Sequence, residues 1–284
     1  MEAPVYYTHS IPANDPCEDG HVIATLGKKH LFAVIDGHGG TGVKDLIFER
    51  LATAWAETPF HGTMALDDVI LKMEKAAMNE NCGACLAMAV YDPDAEQSLT
   101  VASVGDCAVI AAYLDEDEAL HPFRASGAEH NYKNAHVLLD AIQKGGSAKS
   151  FTIHHQKDDV TISRTSPDGK SSIQLSRAIG DAKFKKYTSA SPNVFTDAVG
   201  DIPFIVLCSN GVTDNLSDGE IVSMVAGFAY DDAEQCAAEI VAAAESRAAF
   251  KRMMPPSELR AMKAGSGRRD LVDDMTAVVV FFHG

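Results

Sequence analysis

The chain has 284 residues, of which 46% are hydrophobic, and its formal net charge at pH 7 is −16. This acidic balance argues against a protein that binds nucleic acid or an anionic membrane surface, because both are negatively charged themselves. No apolar run approaches the ~20 residues of a membrane-spanning helix, and no signal peptide opens the chain. We therefore expect a soluble, monomeric, intracellular protein of the cytoplasm, or of the nucleus as well, with reduced thiols.

Hydrophobic periodicity predicts a mixture of strands and helices along the whole chain. Two apolar runs separated by Gly27-Lys28-Lys29 are typical of a β-hairpin, and apolar residues at three- and four-residue intervals from Val43 to Trp55 predict an amphipathic helix. In chain order we predict a hairpin over 21–26 and 30–36, helices over 43–55 and 66–79, and strands over 85–92, 99–106 and 108–114. The second half is predicted to form a helix over 134–146, a strand over 203–211, helices over 217–227 and 231–250, and a strand over 275–282.

Two stretches without a clear period are predicted to be variable loops. The first, 115–130, contains the acidic run "DEDE", and the second, 252–270, contains Pro255-Pro256 and "GSGRRD". The wider stretch 245–270 carries more basic than acidic residues, in contrast to the rest of the chain. We interpret it as a solvated loop, and the alternative is a surface for an acidic or phosphorylated partner.

Several predicted strands end or begin at an acidic residue. The run at 31–35 leads into Asp36-Gly37-His38. Similar groups lie beside other strands: Glu18-Asp19, Gly105-Asp106, Asn210-Gly211 with Asp214, and Asp273-Asp274. One acid-glycine pair alone is typical of a turn. Five such places, one of them beside a histidine, instead favour carboxylates that gather at a sheet edge, where hard cations such as Mg²⁺ and Mn²⁺ find oxygen ligands.

The blocks "AVIDGHGG", "ASVGDCAV", "LSRAIGD", "FIVLCSNGVTDNLSDGE" and "DDMTAVVVFF" resemble, in this order, the metal-dependent type 2C protein Ser/Thr phosphatases, the PPM family. The resemblance extends from Glu18 to Phe282. It implies an α+β fold in which two packed antiparallel β-sheets are flanked by helix pairs, an α-β-β-α sandwich. It also implies that residues 1–284 form a single phosphatase domain, with metals in a cleft at one end.

The resemblance implies a role for each strand-end residue toward two cations, Mg²⁺ or Mn²⁺. Asp36 is expected to bridge the two metals, and Gly37 to offer its carbonyl oxygen to one of them. Glu18 would bind the second metal, with Asp19 orienting bound water. Asp273 would bind the first metal.

The same pattern implies a third, looser metal and a general acid. Asp106 and Asp214 match positions associated with the third metal, and Asn210 occupies a position that contacts both the first and the third. His38 matches the general acid. Two metals ~4 Å apart can lower the pKa of a bridging water, and an imidazole that titrates near neutrality can protonate the leaving oxygen of serine or threonine.

Two positions depart from the family pattern. Asn210 stands where the family has an aspartate, so that ligand would carry no charge. Asn14 stands where the family usually has a phosphate-binding arginine, whose bidentate guanidinium an amide does not replace. Lys28 or the basic stretch 245–270 are candidates to compensate, and the additional acid Asp274 is a candidate to restore negative charge near the metals.

These departures leave two functions open. The first is a phosphatase that hydrolyses phosphoserine and phosphothreonine in proteins, weakened by Asn210 and Asn14, with a phosphoprotein as its substrate. The second is a catalytically impaired pseudophosphatase that acts as a scaffold for a protein partner. The retained acids and His38 favour the enzyme.

Two further motifs were considered for chemistry. Cys82 and Cys85 have the CxxC spacing of a redox pair or half of a zinc site, with His154 and His155 as candidate additional zinc ligands, but a packing role is favoured because no second CxxC exists. The polar residues Ser176, Arg177 and Asp181 of "LSRAIGD" are expected to support the floor of the cleft structurally.

Overall fold

The computed structural model describes residues 3–59, 61–143, 151–156, 159–166, 168–200, 202–228 and 232–282. The strands in these ranges are β1 (Val5–Ile11), β2 (Asp19–Leu26), β3 (Lys29–His38), β4 (Gly83–Tyr91), β5 (Leu99–Val104), β6 (Ala108–Leu114), β7 (Leu120–Arg124), β8 (Phe151–Gln156), β9 (Asp159–Thr165), β10 (Ser172–Ile173), β11 (Ile179–Gly180), β12 (Asn193–Asp197), β13 (Phe204–Cys208) and β14 (Met275–Phe281). The helices are α1 (Gly42–Ala56), α2 (Gly62–Ala77), α3 (Ala135–Gln143), α4 (Asn210–Thr213), α5 (Asp218–Val225), α6 (Ala233–Lys251), α7 (Pro256–Ala261) and α8 (Ser266–Arg269).

The strands form two larger antiparallel sheets and one small one. The first sheet has the order β12-β5-β4-β3-β2, with β11 paired to β4, and the second has the order β1-β14-β13-β6-β7. In the part of the chain that the structure describes, the strands of the small sheet, β10-β9-β8, pair with one another and with no strand of the two larger sheets. The hairpin of β2 and β3 turns at Gly27, whose φ of +63° favours glycine, and it places Asp19 opposite Asp36.

The two larger sheets face each other, and alternate residues along each strand separate three hydrophobic layers. On β3, Phe32 and Val34 pack between the sheets, where Ile205 and Leu207 of β13 meet them. The intervening residues of β3 pack outward against α1 and α2. The other face of the second sheet packs against α5 and α6. This is the α-β-β-α sandwich expected from the resemblance, and that prediction is confirmed.

The predicted elements correspond closely to the observed ones in their order. The strand predicted over 203–211 ends at Cys208, because Asn210 already begins α4. The helix predicted over 134–146 is α3, and residues 144–146 lie outside the described ranges. The strands β1, β7 and β8–β12 were not predicted. Of these, β1, β11 and β12 pair with strands distant in the chain, whereas β7–β10 pair with strands next to them in sequence.

The loop predictions for 115–130 and 252–270 were wrong in part. β7 lies inside the first stretch and pairs with β6 at the sheet edge. The second stretch contains α7 and α8, and Arg268 of α8 is buried against Glu245 of α6. The interpretation of 245–270 as a solvated loop therefore fails for this part.

Within the described ranges, no helix combines the length and apolar character needed to cross a membrane.

Candidate functional site

The predicted acids converge because strand ends from both sheets meet at one end of the sandwich. On the first sheet, β3 delivers Asp36, Gly37 and His38 opposite Cys85, Ala84 and Gly83 of β4. On the second sheet, β13 leads into α4, and the backbone N–H of Asn210 donates to Asp36 Oδ2 at 3.4 Å. This contact bridges the two sheets directly at the cleft.

A cleft of roughly 690 Å³ opens at this end of the molecule. It is lined by seven of the residues that the sequence singled out: Asp36, Gly37, His38, Asp106, Asn210, Asp214 and Asp273. The small sheet β8–β10 and the segment after it form another part of its wall, through Thr161, Ser172, Ile173, Gln174 and Leu175.

Asp36 and Asp106 in the cleft and Asp19 behind it are buried, and the acids of this region repel one another. Burial, and then the charges of Asp19, Asp273 and Asp106, raise the pKa of Asp36 well above its ordinary value. Burial also raises the pKa of Asp19 to about 7, that of Asp106 to about 6, and that of Asp273. Such a group of carboxylates is strained by its own negative charge, and positive charge placed among them stabilises it.

The chemistry of these donors fits a hard divalent cation. Asn210 Oδ1 is buried and has no hydrogen-bond partner among the described residues. This oxygen is therefore available to bind a cation beside Asp36. Carboxylate and amide oxygens are the ligands that Mg²⁺ and Mn²⁺ prefer. In the arrangement described, no three His, Cys, Asp or Glu side chains of the described ranges form a closed cation-binding group.

Glu18 and Asp19 lie behind the cleft rather than on its wall. Glu18 Oε1 accepts from the N–H of Gly40 at 2.6 Å, and its other carboxylate oxygen accepts from Asn14 at 3.1 Å. Asp19 Oδ2 accepts from the Ser209 hydroxyl at 2.7 Å. Both carboxylates therefore adjoin the cleft through Gly37 and Asp36, their neighbours on β3, without lining it.

Asp274 and Asn14 are joined in one hydrogen-bond network. Asp274 is buried and accepts from the N–H groups of Ala13, Asn14 (2.8 Å) and Glu18 (2.7 Å), and from the Asn14 side chain at 3.0 Å. Burial opposes ionisation of Asp274, but these hydrogen bonds hold its pKa below the ordinary value. Its carboxylate thus stabilises the 13–18 segment and does not line the cleft.

His38 has a buried acidic partner that sequence reasoning did not find. His38 Nε2 lies 2.8 Å from Asp181 Oδ2. Asp181 is buried, and its backbone adopts the left-handed conformation, which aspartate tolerates. A Cβ on Gly83 would collide with both of these atoms, so the contact requires glycine at that position. Burial lowers the pKa of His38, whereas the hydrogen bond and charge of Asp181, with Asp106 and Glu18, raise it, and the net direction is upward.

Comparison with known families agrees with this geometry. The family model described as "Protein phosphatase 2C" matches residues 6–253. The chain belongs to the protein phosphatase 2C family.

Sequence relatives within the phosphatase 2C family are distant. The chain is 26% identical over 211 residues to "Probable protein phosphatase 2C 25" of Arabidopsis thaliana, an alignment that covers 69% of this chain and 47% of that protein. It is 27% identical over 317 residues to "Probable protein phosphatase 2C 78" of rice, covering 95% of this chain and 74% of that one. The chain thus spans about half the length of the Arabidopsis relative.

Solved serine/threonine phosphatase structures share the fold. The serine-threonine phosphatase 2C of Toxoplasma gondii superposes with a TM-score of 0.72 at 18% identity, over 99% of this chain and 95% of that one. The phosphatase Stp1 of Staphylococcus aureus gives a TM-score of 0.63 at 17% identity, over 100% of this chain and 96% of that one. At this identity the likeness establishes the fold.

The structure also places the basic residues of this phosphatase 2C chain. Four of them line the cleft: Lys133, Lys251, Arg252 and Arg269. The last three belong to the basic stretch that the sequence singled out, whereas Lys133 had no recognisable signal. Lys28 lies in the turn at the opposite end of the β2–β3 hairpin, where it pairs with Asp94, so it is too distant to compensate for Asn14.

The CxxC spacing reflects packing. Cys85 packs between the sheets, whereas Cys82 packs against the α1–α2 layer, and both are free thiols. Burial, followed by the charge of Asp106, raises the pKa of Cys85, the opposite of a reactive thiol. His154 and His155 lie on β8. A redox or zinc pair at Cys82 and Cys85 is therefore not supported.

Proposed function

We propose that this chain is a metal-dependent phosphatase that hydrolyses phosphoserine and phosphothreonine in proteins, and that residues 1–284 form one catalytic domain. The observation that carries the proposal is the convergence of buried acids from both sheets on one cleft that also contains His38. Membership of the protein phosphatase 2C family supports the same reaction class.

The residues that would hold metal are those that the family resemblance implies, and the burial and mutual repulsion of several of these acids support the choice. Asp36 would lie between two cations, Mg²⁺ or Mn²⁺, with Asp273 and Gly37 toward one of them and Glu18 and Asp19 toward the other. A third cation would be held by Asp106, Asp214 and the amide oxygen of Asn210. Such cations, when bound, supply an activated water and positive charge for the phosphoryl oxygens.

The protein's own part in the reaction lies in positioning and proton transfer. His38 is held at Nε2 by Asp181, so its imidazole is fixed at the cleft wall. From there it would donate a proton to the serine or threonine oxygen as that oxygen leaves phosphorus. A positioned general acid contributes ~10²–10⁴-fold to such a step.

A second candidate, a pseudophosphatase scaffold, is favoured by Asn210 and Asn14. Asn210 removes a negative charge from the predicted metal site. The Asn14 amide is already bonded to Glu18 and Asp274, so it does not replace a phosphate-binding arginine. In this function the cleft would bind a protein partner without hydrolysing a phosphate group on it.

Hydrolysis of a phosphoserine peptide, with millimolar Mn²⁺ and with EDTA, separates the two functions. We expect phosphate release that depends on Mn²⁺ and is abolished by Asp36→Asn. The control variant Asp94→Asn removes an exposed carboxylate far from the cleft and should retain activity. If wild type and Asn210→Asp both release no phosphate at millimolar Mn²⁺, the enzyme proposal is wrong and only a binding role remains.

A further inference from the structure

The cleft has buried acids at its floor and exposed cations at its mouth, where exposed Asp214 also lies. Asp36 and Asp106 are buried at its floor. Four exposed cations lie at its mouth, and we call them the basic rim: Lys133, Lys251, Arg252 and Arg269. In a chain of net charge −16, this rim places four cations around exposed Asp214 and half-buried Asp273 at the entrance to the proposed active site.

Three of the four rim residues lie at the ends of packed helices, and Lys133 lies in the turn before α3. Lys251 ends α6, Arg252 follows it, and Arg269 ends α8. Buried Glu245 of α6 pairs with Arg268 of α8 and thereby fixes the two helices to each other.

The rim residues also contact groups of the cleft itself. Lys251 Nζ donates to the carbonyl oxygen of Asp214 at 2.6 Å, and Arg269 pairs with Asp273 at 2.8 Å. Arg252 donates its Nε to the carbonyl oxygen of Leu271 at 3.0 Å, a bond that uses one of five guanidinium N–H groups. The remaining N–H groups of Arg252 give the rim a fork that suits a carboxylate or phosphate.

We propose that the basic rim binds acidic residues flanking the phosphorylated side chain, so that acidic phosphopeptides are the preferred substrate class. This inference rests on the proposed function for its choice of substrate. The net charge of the whole chain would repel such a peptide and favour a basic one, so the two electrostatic effects predict opposite preferences. The rim dominates because its four cations outnumber Asp214 and Asp273 beside them and act at the cleft, within a Debye length of ~8 Å from a bound peptide, whereas distant charges are screened.

Peptide binding tests the inference without requiring turnover. Two fluorescein-labelled phosphoserine peptides, one flanked by glutamates and one by lysines, are titrated with the intact chain in EDTA and followed by fluorescence anisotropy. We expect the acidic peptide to bind at least about tenfold more tightly, and its affinity to fall as salt is raised. Arg252→Glu should remove most of this preference.

The matched control is Arg50→Glu, which makes the same change of net charge at an exposed site on α1, outside the cleft. It should leave the preference unchanged. Circular dichroism of both variants shows whether each is folded, and Lys133→Glu, at a rim residue outside the α6–α8 segment, provides a second test if Arg252→Glu unfolds.

The outcomes separate the inference from the proposed function. Equal binding of the two peptides, or a preference for the basic one, overturns the inference even if the chain hydrolyses phosphopeptides. Preference for the acidic peptide that survives both Arg252→Glu and Lys133→Glu also overturns it. If the chain binds the acidic peptide selectively through the rim but releases no phosphate, the proposed phosphatase activity is refuted and the inference is supported.

Discussion

Asn210 is the residue on which the strength of the proposed metal site depends most. Its backbone N–H donates to Asp36, whereas its side-chain oxygen is buried without a partner among the described residues. The side-chain oxygen is therefore available to the proposed metal site but lacks the charge of a carboxylate. Asp274 does not take its place as a ligand, because its oxygens are bonded to the 13–18 segment, but its negative charge helps to raise the pKa of Asp19 and that of Asp273.

We predict that Asn210→Asp tightens Mn²⁺ binding about tenfold. Unit charges ~4 Å apart interact by about 4 kcal/mol at an effective dielectric of ~20, and one third of that energy corresponds to about tenfold in affinity. Isothermal titration of the metal-free proteins with Mn²⁺ measures the change. Asp94→Asn is expected to bind as wild type does, and an unchanged affinity of Asn210→Asp would place residue 210 outside the metal site.

Asp181 contacts His38, the proposed general acid of the cleft. We predict that Asp181→Asn lowers kcat for a phosphoserine peptide by about 10²-fold, because the imidazole loses the carboxylate that positions it for proton donation. Hydrolysis of p-nitrophenyl phosphate should fall much less, since p-nitrophenolate leaves without a proton. Steady-state kinetics on both substrates measures this difference.

A second His–Asp pair provides the control for Asp181. His121 Nε2 lies 2.6 Å from Asp115 Oδ2 on the exposed β6–β7 connection, outside the cleft. Asp115→Asn should leave both activities near wild type. Equal losses on the two substrates in Asp181→Asn would indicate that Asp181 has a purely structural role.

At the scale of elements, the segment from α6 to α8 is held by a buried ion pair. The side chain of Glu245 is 2% exposed and pairs with Arg268, whose side chain is 4% exposed, and with Arg260 at 3.0 Å. The Arg268 guanidinium also donates to the carbonyl oxygen of Leu259, which connects α7 to the same network. This network explains why a basic, proline-containing stretch forms ordered helices.

We predict that Glu245→Ala reduces the free energy of unfolding by about 3–5 kcal/mol, because it leaves Arg268 buried without its carboxylate. Chemical denaturation followed by circular dichroism measures the loss. Glu239→Ala changes an exposed glutamate of the same helix, bonded to Gln235, and should cost less than ~0.5 kcal/mol. A similar small cost for both variants would show that the ion pair does not stabilise this segment.

At the scale of the whole molecule, the cleft exists only because two sheets pack face to face. Asp36 belongs to the first sheet, and Asn210 and Asp273 flank strands of the second. A cation bound between them would therefore link the two halves of the sandwich. Its binding energy would add to the stability of the folded state, since the unfolded chain does not hold these oxygens together.

We predict that Mn²⁺ at about 100 times its Kd stabilises the chain by about 2.7 kcal/mol and raises Tm by several degrees relative to EDTA. Differential scanning calorimetry measures the shift. Asp36→Asn should abolish most of it, and Asp94→Asn should preserve it. A Tm that is the same in Mn²⁺ and EDTA would contradict metal binding between the sheets.

The amino-acid sequence by itself determined the order of the main helices and strands, the sandwich fold through its family resemblance, and the positions of acids such as Asp36 at strand ends. These features are local: apolar periodicity and strand termini can be read within ten residues. The tertiary structure alone decided that Glu18 turns to Gly40, that His38 meets Asp181, and that Lys133 joins the basic rim. These contacts depend on the packing of segments far apart in the chain, and short-range periodicity carries no information about side chains that meet across sheets and loops.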